Sequence, residues 1–197
     1  MNTKYNISTI LLNAVIVFGL IININACSTG NSPIAPKMDT ENTKKINILK
    51  FKKVSSSLNK IVSVSKTITV EEGGVIELRL VIDDEGSVYT NITLEVLPNT
   101  LSEDTEISIT IDDESIDFIF SPHGTIFSQP AILNIYAMGL DLSGVDPNEI
   151  GIFYDNPDIG QWEQMENEGI SVNISTGHAS VQNAKIPHFS RYAIATD

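Results

Sequence analysis

The sequence predicts an all-β domain, an antiparallel β-sandwich, carried behind an apolar leader and a flexible tether. Three observations predict it. From about residue 66, short β-branched runs alternate apolar with polar residues, the two-residue period of half-buried strands. Turn chemistry rich in Gly and Asp separates these runs at close intervals. No comparable stretch places apolar residues at helical spacing, and roughly ten short strands in succession fit two packed antiparallel sheets.

Taken in order, residues 1–27 begin with a short polar start that includes Lys4. The apolar stretch Ile10–Ile22 follows, broken only by Asn13 and Gly19, and then Ile24-Asn25-Ala26-Cys27. The apolar run is shorter than the roughly 20 residues a membrane-spanning helix needs, and small Ala26 sits where a signal peptidase requires room. Residues 1–26 therefore read as a signal peptide. Residues 28–45, STGNSPIAPKMDTENTKK, hold too little apolar content to bury and read as linker. Residues 46–65 match neither a helical nor a strand period cleanly, leaving a short amphipathic helix and a first strand both open. The expected tether is 27–65 and the expected domain 66–197.

Within that domain the candidate strands are Thr67–Val70, Val75–Ile82, Tyr89–Val96, Glu106–Ile111, Ile116–Phe120 and Ala131–Tyr136. Ile150–Tyr154, Gln161–Met165, Ile170–Ile174, Ala179–Asn183 and Arg191–Ala195 complete the set. Ile92, Leu94 and Val96 alternate with Thr93 and Glu95, as a strand with one buried face requires. Glu72-Gly73-Gly74, Asp83–Gly86, Asp112–Glu114 and Asp158–Gly160 supply turns. Pro98, which lacks a ladder donor, closes one strand, and Ser121-Pro122-His123-Gly124 makes a tight connection before Phe127. Phe118, Phe120, Tyr154 and Trp162 are the expected core or core-edge aromatics.

Charge and cysteine content narrow the function. The net charge is −13, which disfavours nucleic acid, because a phosphate backbone needs a basic footprint. The charge is also divided along the chain. Residues 28–66 hold eight Lys against Asp39 and Glu41, +6, whereas 67–197 hold Arg79, Lys185 and Arg191 against 23 acids, −20. A basic segment behind a lipid anchor can lie against anionic headgroups, or it keeps a linker soluble and pairs with the acidic domain. With a single cysteine, Cys27, no intramolecular disulfide forms and the fold stands on its core.

Ile24 to Cys27 resembles the bacterial lipoprotein box, in which the cysteine becomes the lipid-modified first residue of the mature protein. Ile24 and Ala26 fit that pattern, and Asn25 is less usual at its position. The resemblance implies a thioether to diacylglycerol on Cys27 and an added N-acyl chain, such as palmitate, since one chain alone anchors only marginally. The membrane is then a partner through Cys27, and the location is extracytoplasmic, in the cell envelope.

LEVLPNTLSEDTEISI (94–109), FIFSPHGTIFSQPAILNI (118–135), IGIFYDNPDIGQWEQM (150–165) and HFSRYAI (188–194) resemble the ZU-five domain of zonula occludens proteins, netrin receptors and ankyrins. The resemblance covers roughly residues 66–195. It implies a sandwich used for protein contact or as a structural spacer. The companion modules of the eukaryotic members are not in this chain, so their partners do not transfer.

His188-Phe189-Ser190 is the candidate site for chemistry, because some members with this tripeptide look self-cleaving between the aromatic residue and the serine. Ser190 would attack the Phe189 carbonyl with His188 as base, and an N-to-O acyl shift would precede hydrolysis. The plain alternative is that Ser190 opens the last strand, Phe189 packs in the core and His188 satisfies a carbonyl. His123, His178 and His188 lack the close pairing of a zinc site. Asp83-Asp84-Glu85 and Asp112-Asp113-Glu114 cluster oxygens that attract calcium, without the spaced ligands of a regular calcium loop. No cofactor and no small-molecule substrate is expected. The expected role is a non-enzymatic interaction or structural module for an envelope or extracellular protein. The alternatives are self-processing at Phe189-Ser190 and a carbohydrate-binding surface, for which Trp162 and a few tyrosines are the aromatics available.

Overall fold

The computed structural model of the chain describes residues 45–53, 60–82 and 87–197. Cys27, the leader and Asp83-Asp84-Glu85 lie outside the described residues. The strands are β1 (Asn47–Ile48), β2 (Lys50–Phe51), β3 (Ile61–Ile68), β4 (Gly74–Val81), β5 (Tyr89–Val96), β6 (Thr105–Asp112), β7 (Asp117–Ser121) and β8 (Ile126–Met138). They continue with β9 (Leu140–Asp141), β10 (Ile150–Asn156), β11 (Gln161–Gln164), β12 (Gly169–Asn173), β13 (His178–His188) and β14 (Arg191–Thr196). A single 3₁₀ turn, Pro147–Glu149, is the only helical element among the described residues; the Asp146 carboxylate accepts the Asn148 N–H at its start.

The architecture is the expected antiparallel β-sandwich. One sheet runs β11-β10-β14-β7-β6-β3, with β1 continuing beside β14, and the other runs β12-β13-β8-β5-β4. A two-stranded ribbon joins β2 to β9. The C-terminal strand β14 is central: β10 pairs along one side of it, and β7 followed by β1 along the other.

Between the sheets, alternation does what it predicts. Ile76, Leu78 and Leu80 of β4, Ile92, Leu94 and Val96 of β5, and Ile107, Ile109 and Ile111 of β6 are all buried. Removing such side chains from water stabilises the fold by about 1.5–3 kcal/mol each. The β3–β4 turn depends on Gly73, whose φ of +64° suits glycine; a Cβ there would stand 2.3 Å from the Val96 carbonyl oxygen.

Strands begin earlier than the expected boundary at residue 66. Leu49 and Phe51 are buried, alternating with exposed Lys50 and Lys52, and β3 occupies residues 61–68 rather than 67–70. Residues 47–51 and 61–65 thus belong to sheets rather than to a tether. The periodicity of β3 is masked in sequence because its outward positions are Ser63 and Ser65, bonded to Thr110 and Glu106 of β6, while Lys66, in register with Val62 and Val64 but exposed, extends its ammonium to the Val75 carbonyl of β4. Lys60 likewise reaches the Val81 carbonyl. Lysines along an edge discourage pairing with another chain.

β8 and β13 run beyond the expected spans, and two irregularities interrupt the ladder between them. In β13, Asn183 adopts φ +49° and makes a bulge between the Val181↔Ile135 and Ala184↔Leu133 pairs. Its freed N–H donates to the Asn134 side chain at 3.0 Å, and its own amide donates to Glu168 at 2.6 Å. Asparagine tolerates the left-handed region, and the two side-chain bonds replace what the ladder loses. Further on, the ladder steps from Ile186↔Ala131 to His188↔Ile126. Pro130 and Pro187 fall in this gap, and neither has an N–H to donate.

Candidate functional site

The proline gap marks where the chain leaves the five-stranded sheet for the other. Pro187 and His188 end β13, Phe189 crosses, and Ser190 leads into β14. Both sides of the Phe189 residue are held by the β7–β8 turn: its N–H donates to the Thr125 carbonyl at 2.8 Å, and its carbonyl accepts the Gly124 N–H at 3.1 Å. The Ser190 carbonyl accepts the Phe120 N–H at 3.0 Å.

The Phe189 side chain is fully buried. It stacks on Phe120 with ring centroids 5.4 Å apart and meets Phe127 edge-on at 4.9 Å. Phe120 in turn packs against Phe118 and Tyr192. Phe118, Phe120 and Tyr154 are therefore core residues as expected, whereas Trp162 stands half-exposed on edge strand β11, with the Arg191 guanidinium 5.5 Å from its ring.

Above the crossover lies an open groove of about 250 Å³, lined by His123, Ile126, Tyr154, Asp158, His188 and Ser190 among others. A second groove of about 380 Å³ continues past Tyr154 and His188 toward Glu163, Met165 and Lys185. The structure brings His188 and Ser190 to one groove without joining them. Ser190 is almost fully buried, and its hydroxyl donates to the Asp155 carbonyl at 3.0 Å. The His188 imidazole meets the Tyr154 ring edge-on at 4.8 Å, and its backbone carbonyl accepts the Tyr192 hydroxyl at 2.5 Å. In this arrangement the serine proton points at a carbonyl rather than at a base.

The other candidates are scattered. His123 lies in the groove, exposed, and His178 sits at the far end of β13, on the order of 30 Å away by strand rise. Asp112 accepts the backbone N–H groups of Glu114 and Ser115 on one oxygen of its carboxylate, closing a turn. Among the described residues no group of three or more His, Cys, Asp and Glu is placed to hold a metal.

Electrostatics leave the domain strongly acidic. The three basic side chains after residue 66 all have carboxylate partners: Arg79 with Glu77 at 2.9 Å, Lys185 with Glu166 at 3.1 Å, and Arg191 with Asp117. The exposed pairs contribute little stability, but they leave few cations to offset the remaining acids.

Tyr154 and Tyr192 are the site residues that sequence reasoning missed as a pair; the only signal was their place in the segments 150–165 and 188–194. Burial, then the Glu163 carboxylate beside it, pushes the Tyr154 phenol up to about 12. Burial, and secondarily Tyr154, raises the Tyr192 phenol as well. No protein-family model matches this chain, and no curated protein or solved structure matches it either.

The two phenols make the fold sensitive to alkali. Both ionise near pH 10 in the unfolded chain but later in the native state. Their contribution is therefore fully present below pH 10 and is lost as the pH rises toward 12 and beyond, at up to about 1.4 kcal/mol per pH unit for each tyrosine. Urea titrations at successive pH values should show stability falling from pH 10, with Tyr154→Phe making the fall shallower. An equally steep fall in that variant would contradict the assignment.

Proposed function

We propose that this chain is a lipoprotein anchored outside the cytoplasm through Cys27, and that its sandwich is a non-enzymatic module for binding a protein of the envelope or its surroundings. The groove at the crossover is the contact surface. Its carrying observation is a rigid, backbone-clamped wall beside an apolar rim: Ile126, 75% exposed, lines the groove, and Ile159, 53% exposed, follows Asp158 in the β10–β11 turn. Large exposed hydrophobics beside a firm groove are what a protein partner uses as an anchor. The ZU-five resemblance points the same way, since it implies protein contact or a spacer role. The apolar leader ending in Ala26-Cys27 supports the anchor.

In cells fed an alkyne-bearing palmitate, the parent should be labelled and sediment with membranes, and Cys27→Ala should be neither labelled nor retained. A photocrosslinking residue at position 126 should give a discrete protein adduct that Ile159→Asp weakens at least fivefold. Labelling that survives Cys27→Ala would sink the anchor, and no adduct at position 126 would sink the groove.

A second reading, self-processing between Phe189 and Ser190, is favoured by one observation. The Phe189 carbonyl already accepts the Gly124 N–H, which would serve the oxyanion of a tetrahedral intermediate. Ser190 Oγ would turn from Asp155 to attack that carbonyl, and His188 would take its proton. The C–N bond would break as the serine nitrogen regains a proton, and water would hydrolyse the ester to a Phe189 carboxylate. The direction of the serine hydroxyl toward Asp155 favours the binding module instead. Intact mass under denaturing conditions should be complete for both the parent and Ser190→Ala after long incubation; loss of Ser190–Asp197 from the parent alone would establish the second reading.

A further inference from the structure

The outward face of the five-stranded sheet carries a third groove, also of about 380 Å³. Strand register builds it. Asn91 of β5, Tyr136 of β8 and Ser180 of β13 stand in one row across the sheet, and Thr93 and Asn134 stand in the next. On one side the rings of Tyr89, Tyr136 and His178 form a ledge, with Tyr136 6.2 Å from Tyr89 and 4.7 Å from His178. Tyr136 is 42% exposed, which leaves ring surface open to a ligand.

The polar atoms of this groove are incompletely used. Asn91 donates its amide N–H to Glu77 at 2.9 Å, while its Oδ1 is buried and has no hydrogen-bond partner. His178 Nε2 is also buried without one. Native proteins rarely leave buried polar atoms unsatisfied, so each such atom calls for an explanation. Neither atom has open surface as the side chains stand, so a turn of Asn91 or His178 toward the groove is what would bring them to the hydroxyls of a ligand.

We propose that this face binds a neutral pyranose unit within a polysaccharide chain. The C–H face of a pyranose packs on an aromatic ring. Its adjacent hydroxyls each donate and accept, which suits a groove lined by the amides of Asn91, Asn134 and Gln182 and the hydroxyls of Thr93 and Ser180. Neutrality follows from charge. The lining contains no carboxylate, lysine or arginine, the neighbouring Glu77 and Arg79 neutralise each other, and residues 67–197 carry −20 by their count of charged side chains, which repels anionic polymers. The groove is open along the sheet, so it fits an internal sugar of a chain rather than an enclosed terminus.

Affinity electrophoresis of the detergent-solubilised full chain in native gels containing glucomannan, xyloglucan, galactomannan or mixed-linkage β-glucan, beside a gel with polygalacturonate, tests this directly. At least one neutral polysaccharide should retard the protein. Tyr136→Ala should weaken that retardation at least tenfold and Asn91→Ala several-fold, while Tyr136→Phe, which keeps the ring and its packing, and Trp162→Ala, on the other sheet, should leave it unchanged. Unaltered migration in all four neutral gels would overturn the proposal, as would retardation by polygalacturonate alone or retardation that survives Tyr136→Ala. Protein adducts from a photocrosslinker at position 136, with no retardation in the neutral gels, would assign the face to a protein partner instead.

Discussion

Phe189 packs between Phe120 and Phe127 at the point where the chain passes from one sheet to the other, and the rest of the sandwich depends on that contact. Its backbone is bonded on both sides to the β7–β8 turn, and its ring is buried among side chains from β7 and β8. Because the following strand, β14, lies between β10 and β7, the crossover also sets the register of the seven-stranded sheet. Aromatic contacts of this kind contribute about 0.5–1.5 kcal/mol each beyond their burial. They also fix positions, since a close-packed interior transmits any shift of its largest members.

The same packing decides what His188 and Ser190 are free to do. Tyr192 reaches back to the His188 carbonyl, Tyr154 meets the imidazole edge-on, and the Ser190 hydroxyl is directed to the Asp155 carbonyl. A tripeptide whose residue types suit nucleophilic chemistry lies here at the crossing between the sheets, with a groove above it. The two grooves differ accordingly: exposed Ile126 lines the one at the crossover, and amides, hydroxyls and rings line the one on the outer sheet face.

Much of this fold was legible in the sequence. β4, β5, β6 and β7 lie close to their expected spans because their apolar residues alternate without interruption, as in Ile76, Leu78 and Leu80. The strand ends at Val96 and Ser121 follow from Pro98 and Pro122. β3 was not legible, since serines and Lys66 hide its period and their partners lie on β6 and β4. Nor could the sequence show the step in pairing at Pro130 and Pro187, because both prolines matter only once their strands are side by side. At the candidate site the residue types His188, Phe189 and Ser190 were legible, but the direction of each side chain was set by Asp155, Tyr154 and Tyr192, two of which come from a distant strand. The ledge of Tyr89, Tyr136 and His178 likewise draws on three strands and has no linear signature.

Native-state hydrogen exchange at the Phe189 and Ile194 amides tests most directly whether the crossover is the point on which the fold depends. Both N–H groups donate to backbone carbonyls, Thr125 and Ile116 respectively. If the crossover holds the two sheets together, these amides exchange only through global unfolding, and their opening free energy equals the stability measured by denaturant. Exchange of Phe189 through a local opening well below that value, while amides of β5 and β6 stay protected, would show that the sandwich stands without it and would contradict this account.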